Sequence, residues 1–121
     1  MKKKFEGRRA LVTGSAKRMG KAIALFLAEN GAHVAINYLT SEKEAEHTAK
    51  QCRAFGVKSF AVKADVTDPV QAKKLVEKVV QEFGGIDYLI CNVGSFANKN
   101  IRQLSVQDWL MDLQTNLNHT F

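Results

Sequence analysis

"LVTGSAKRMGKA" (residues 11–22) leads from a short apolar run through a glycine-bearing loop into a stretch with apolar residues at helical spacing. Gly14 and the pair Gly20-Lys21 suggest a backbone that closes around a phosphate. The loop fits neither of two common patterns. A triphosphate loop needs G-x-x-x-x-G-K-[ST], whereas five residues separate Gly14 from Gly20 and Lys21 precedes Ala22, which has no hydroxyl for magnesium. The dinucleotide pattern G-x-G-x-x-G fails because Ser15 and Ala16 follow Gly14. What remains is T-G-x-x-x-x-x-G at a strand-to-helix hinge. Backbone N–H groups and a helix N-terminus can still hold a pyrophosphate there. Alone, such a loop is equally a tight turn of any parallel fold.

Outward from the loop, four short apolar runs alternate with amphipathic ones. Strands are expected at "RALVT", "HVAIN", "SFAVKAD" and "IDYLICNV". The first helix spans about 18 to 30, with Met19, Ile23, Phe26 and Leu27 on one face and Asn30-Gly31 closing it. Ser41 opens the second as N-cap, in capping-box spacing with Glu44, and its inner face is Ala45, Thr48, Ala49, Cys52 and Phe55. Thr67, Asp68 and Pro69 start the third, whose stripe is Val76, Val79, Val80 and Phe83, and Gly84-Gly85 stop it. A last amphipathic segment begins near Ser105, with Trp109, Leu113 and Leu117 on one face. Continuous apolar strands separated by helices predict an α/β fold, a Rossmann-like doubly wound parallel sheet of order 3-2-1-4. Ligands of such sheets bind at the carboxyl ends of the strands.

The 121 residues are 45% hydrophobic and contain one proline, so residues 1–121 read as one partial nucleotide-binding domain. No repeat or low-complexity stretch is present. The net charge of +6 owes much to "MKKKFEGRR", read as a solvated N-terminus; no basic–aromatic interleaving supports a nucleic-acid partner. No apolar run reaches the length of a membrane span, which gives a cytoplasmic expectation. Cys52 and Cys91 read as buried free thiols, and no His or Cys spacing suggests a metal site.

Four motifs in order resemble the short-chain dehydrogenase/reductase family. "TGSAKRMG" (13–20) is similar to the family's T-G-x-x-x-G-x-G loop, with Arg18 for the middle glycine, as in branches including pteridine reductases and relatives of 3-oxoacyl reductases. "ADV" (64–66) matches the acidic position after the third strand. "CNVG" (91–94) is similar to N-N-A-G, and "WLMDLQTNLNHTF" (109–121) to the segment around a catalytic-tetrad asparagine, which falls on Asn116.

The resemblance implies hydride transfer between a nicotinamide cofactor and a carbonyl or alcohol, in a homo-oligomer. It implies a pyrophosphate on Gly14, Ser15, Met19 and Gly20, adenine beside Asp65 and Val66, and Asn92, Val93, Gly94 and Thr115 near the nicotinamide ribose. NAD sites usually carry a carboxylate after the second strand, but Tyr38 stands there and the first carboxylate is Glu42. Lys17 and Arg18, with neutral donors at Asn37, Tyr38, Thr40 and Ser41, favour a 2′-phosphate, so NADP is expected over NAD. The family's general acid/base is a tyrosine with a lysine four residues on. Neither Tyr38 nor Tyr88 has that lysine, so the chain is expected to be the cofactor-binding half, truncated before the later strands and inactive alone. A stand-alone nucleotide-binding or regulatory module and a basic nucleic-acid binder are the alternatives.

Overall fold

The computed structural model describes residues 2–94, 101–114, 116 and 120. In chain order these are β1 (Arg9–Val12), α1 (Arg18–Glu29), β2 (His33–Tyr38), α2 (Glu42–Arg53), β3 (Ser59–Lys63), α3 (Pro69–Phe83), β4 (Tyr88–Ile90), a short 3-10 turn (Ile101–Gln103) and α4 (Val106–Leu113). The four strands form one parallel sheet of order β3-β2-β1-β4, as expected. The reversal of strand order falls between β1 and β4, which is where the crevice of a doubly wound sheet opens.

Alternation along the strands sorts side chains to the two faces. Ala10, Val12, Val34 and Ile36 turn toward α1 and α2, meeting Ala24, Leu27 and Ala28 of α1 and Ala45, Ala49 and Cys52 of α2. Alanines there let the helices lie close to the strands. Leu11 and Ala35 turn the other way, toward Leu75 and Val79 of α3.

Helix boundaries follow local chemistry. The Asp68 carboxylate accepts the Val70 N–H at 3.0 Å, Pro69 opens α3, and Gly84 closes it in the left-handed conformation. Ser105 and Asp108 form a reciprocal capping box that starts α4.

Several expectations are corrected. Ser41 precedes α2 but its side chain caps nothing, because its backbone (φ −90°, ψ 62°) does not aim the hydroxyl at the first turn. Phe55 lies beyond the last turn of α2, off the helical period, and is exposed. On α3 the inward line is Leu75 and Val79, four residues apart, with Phe83 half-buried; Val76 and Val80 are exposed. β3 and β4 are edge strands, shorter than their apolar runs, and only β1 and β2 are covered on both faces. Cys52 is buried but Cys91 is exposed. No residue of α4 is buried, so Trp109 faces outward, and Leu117 lies outside the described residues. Among the described residues, no helix is long and apolar enough to cross a membrane.

Candidate nucleotide-binding site

The loop after β1 is held from both neighbouring strands. Gly14 has φ +60°, a conformation a side chain would strain, and its N–H donates to Asn37 Oδ1 at 3.1 Å. Ser15 is fully buried: its hydroxyl donates to the Val12 carbonyl at 2.7 Å and accepts the Asn37 N–H at 3.1 Å. The Asn37 amide donates to the Ala64 carbonyl at 3.2 Å, joining β2 to the end of β3. From the other side, Asn92 Nδ2 donates to the Gly14 carbonyl at 3.1 Å, and the Asn92 N–H donates to Thr13 Oγ1 at 2.9 Å. Thr48 of α2 donates to the Ala16 carbonyl at 2.7 Å. Every one of these bonds is made by a short polar side chain to backbone, which fixes a loop without filling the space above it.

That space is bounded by glycine. A Cβ on Gly20 would lie 2.2 Å from the Gly14 carbonyl oxygen and 2.7 Å from Asn92 Nδ2. Only a glycine lets the first turn of α1 approach the loop so closely. Lys17, the N-cap residue of α1, makes no side-chain cap and no acidic residue occupies the first turn. The first N–H groups of this helix therefore lack side-chain acceptors, and the helix dipole presents partial positive charge.

Lys17, Arg18 and Met19 are exposed around this opening, and Arg18 itself has φ +58°. The position of the missing glycine is thus one that glycine would suit, and an arginine occupies it at a backbone cost of roughly 1–2 kcal/mol. Tyr38 is half-buried at the end of β2 and Thr40 is exposed beyond it. Burial pushes the Tyr38 phenol up, and Glu42 and Glu46 push it further in the same direction. A phenol raised this way is poorly suited to general acid/base work near neutrality.

Two residues expected near the phosphates have their side chains engaged within the loop and the sheet. Asn37 is buried with both ends of its amide engaged, and the Ser15 hydroxyl is likewise consumed inside the loop. They shape the site and offer no free side-chain donor. Asp65 accepts the Thr67 N–H and hydroxyl through Oδ1 alone, at 2.9 and 2.6 Å, which leaves Oδ2 unbonded among the described residues. Val66 is buried beside it. Val93 packs toward Gly14, and Gly94 lies exposed at the end of the β4 loop. A Cβ on Gly94 would come within 2.8 Å of Asn116 Oδ1, so Gly94 lets Asn116 reach the crevice. Thr115 lies outside the described residues. Among the described residues no group of three His, Cys, Asp or Glu side chains could hold a metal ion.

The sequence reading missed Asn92 as a brace for Gly14, Thr48 as a tie to the loop, and three further residues beside Lys17. A depression of about 270 Å³ between α1 and α2 is lined by Ala16, Lys17, Lys21, Lys43, Glu44 and His47. The i, i+4 spacing of Lys17 with Lys21, and of Lys43 with His47, was the available signal.

A larger cavity, about 740 Å³, lies elsewhere. It runs between α3 and the β1–β4 edge, lined by apolar groups such as Leu11, Leu75, Val76 and Leu89. It holds no convergent polar set and reads as uncovered packing surface on that side of the sheet.

The family described as short chain dehydrogenase matches residues 8–121 of this chain. A 3-oxoacyl-[acyl-carrier-protein] reductase FabG of Staphylococcus aureus is 39% identical over 112 residues, 93% of this chain and 46% of that protein. An L-rhamnose 1-dehydrogenase (NADP(+)) of Thermoplasma acidophilum is 34% identical over 102 residues, 84% of this chain and 40% of that protein. A short chain dehydrogenase from Burkholderia cenocepacia, solved in complex with NADP, superposes with a TM-score of 0.90 at 37% identity, covering 95% of this chain and 47% of that one. The chain thus spans about half the length of the curated relatives it matches.

Proposed function

The chain belongs to the short-chain dehydrogenase family, and from that premise we propose that it forms the NADP-binding part of an oxidoreductase acting on a carbonyl or alcohol. The observation that carries the reading is the cradle of Gly14, Gly20 and Asn92 in front of an uncapped helix N-terminus, with Lys17 and Arg18 exposed at its rim. The residues present fit a dinucleotide: Gly20 lets the helix end close directly onto the loop backbone, and that helix end has no acid of its own.

In this reading the backbone around Gly14, Met19 and Gly20 holds the pyrophosphate, and Asp65 Oδ2 takes the adenine amino group beside Val66. Asn92, Val93 and Gly94 line the ribose next to the nicotinamide. Arg18 and Lys17 meet the 2′-phosphate, with Thr40 and Ser41 near it. No carboxylate stands directly after β2 to repel it, since Tyr38, Leu39, Thr40 and Ser41 precede Glu42. When bound, the cofactor supplies the hydride. Asn116, whose Oδ1 lies close to Gly94, would orient a water or substrate oxygen in this reading. Neither tyrosine of this chain suits the proton transfer: Tyr38 has a raised pKa, and Tyr88 lies in β4 away from the loop.

The test is a calorimetric titration of the 121-residue chain with NADPH and NADH, followed by a turnover assay with carbonyl substrates. Charge-assisted contacts to the 2′-phosphate should make NADPH about tenfold tighter or better. No turnover is expected. Equal affinity for the two cofactors would remove the NADP assignment, and turnover would remove the claim that proton transfer needs residues outside these 121.

A further inference from the structure

The cleft between α1 and α2 is built to hold negative charge. It is lined by Lys17, Lys21, Lys43 and His47, against a single acidic residue, Glu44. None of the three lysines is within ion-pair reach of a carboxylate among the described residues, where the ion pairs are Arg9–Asp87 and Lys78–Glu82. Unpaired like charges held together repel one another, and a site of this kind gains most from a multivalent anion.

Three features make the cleft a defined place and not a run of surface lysines. Its floor is the loop itself, since Ala16 and Lys17 belong both to the cleft and to the β1–α1 hinge. The loop is pinned to α2 by the 2.7 Å bond from the buried Thr48 hydroxyl to the Ala16 carbonyl, which sets the separation of the two walls. The N-termini of α1 and α2 both open at the carboxyl end of the sheet, so two helix dipoles point partial positive charge toward the same region.

We propose that Lys21, Lys43 and His47 are specificity-determining residues that extend the 2′-phosphate site from the loop onto α2. The inference rests on the NADP reading above and deepens it. Lys17, at the hinge, is shared between the two parts. Arg18 grips the phosphate from the rim, while Lys21, Lys43 and His47 supply the field behind it. Glu44 is the one group in the cleft that opposes binding.

The experiment is a titration of the full 121-residue chain with 2′,5′-ADP and with 5′-AMP, which differ only in the phosphate at issue, read by calorimetry without any turnover. The variants are Lys43→Gln/His47→Gln, Lys21→Gln, Glu44→Gln and, as control, Arg18→Ala, each checked for folding by circular dichroism. The double variant should lose about five- to tenfold in affinity for 2′,5′-ADP, Lys21→Gln about threefold, and neither should change 5′-AMP binding. Glu44→Gln should tighten 2′,5′-ADP by about two- to threefold. If the unaltered chain binds both ligands equally, the NADP reading fails and takes this inference with it. If it prefers 2′,5′-ADP, and Arg18→Ala abolishes the preference while the α2 variants keep it whole, the extension onto α2 is overturned and the NADP reading stands.

Discussion

The two faces of the sheet are finished to different degrees. On the α1–α2 face, twelve residues form a cluster in which most are wholly buried, and the β1, β2 and α2 side chains meet at alanine-lined contacts. On the α3 face the buried cluster is half that size, six residues, and beside it lies the 740 Å³ groove. Leu89 of β4, in the wall of that groove, is 54% exposed. The nucleotide loop is tied to the closed face through the bond from Thr48 to Ala16, and to the other face and the β4 edge through Asn37 and Asn92. The loop thus draws on both faces, and its tie to the better-packed one is the Thr48 bond.

The sharpest way to break this contrast is a matched pair of truncations in the two strands that flank β1. Ile36→Ala removes a fully buried side chain from the closed face and should cost about 2–5 kcal/mol. Leu89→Ala removes the same number of carbon atoms from the groove wall and should cost less than about 1 kcal/mol, because that side chain is already half in water. Urea denaturation midpoints of the two variants decide it. Similar losses would mean that the groove is closed in solution and that the two faces are equivalent.

Much of the contrast was out of reach of the sequence. The strand and helix order, the sheet topology and the glycines of the loop were legible, because periodicity, caps and glycine act locally. Exposure of β4 followed from the expected sheet order and not from local pattern, since "YLI" reads as core wherever it sits and the order 3-2-1-4 makes it an edge. Val76 and Val80 failed for a related reason: the stripe on α3 was assigned by apolarity, but the sheet selects Leu75 and Val79. At the site, Asn37 was expected as a neutral donor, and the resemblance placed Ser15 at the pyrophosphate. Their hydrogen bonds turn inward, and long-range pairs such as Asn92 with Gly14, 78 residues apart, leave no local signature.

A smaller effect on stability, but a large one on binding, is expected at the seam where the loop meets α1. Gly20→Ala would press a methyl group onto the Gly14 carbonyl and Ser15 Cα, both backbone atoms that cannot step aside. The strain should cost about 1–3 kcal/mol and displace the loop. Thermal melting and an NADPH titration on the same sample should show a modest fall in Tm alongside loss of measurable binding. Retained affinity would show that the loop tolerates opening and that its anchoring to the closed face matters little.

The amino end of the sheet offers a test tied to pH. Arg9 and Asp87 start β1 and lead into β4, with Arg9 Nε 3.0 Å from Asp87 Oδ2 and the Arg9 N–H donating to the same oxygen at 2.9 Å. The guanidinium and that backbone bond lower the Asp87 carboxyl from 3.8 to about 2. A carboxyl lowered in the folded state contributes stability above its unfolded value, and that contribution is lost as pH falls through the folded one. Asp87 therefore supports the β1–β4 edge above pH about 4 and stops doing so as pH drops toward 2. Arg9 is half-buried and Asp87 is exposed at the sheet edge, so the effect is small and screened by salt. Asp87→Asn should flatten the pH dependence of the urea midpoint across that window; an unchanged profile would show that the open edge is not held by this pair.

The smallest expected change separates what the closed face needs from what the ligand needs. Arg18 holds φ +58° on the rim of the loop, where its exposed side chain makes no ion pair among the described residues. Arg18→Gly removes the left-handed penalty but adds backbone freedom to the unfolded chain, so the two effects should nearly cancel and leave stability within about 1 kcal/mol, on the favourable side. NADPH affinity should fall nonetheless, because the guanidinium is the one fork-shaped donor set at the opening. Fold and function then move in opposite directions at one residue. An arginine retained against its own backbone preference would have its reason in the 2′-phosphate, and a variant that lost stability as well as affinity would show instead that the side chain also holds the loop.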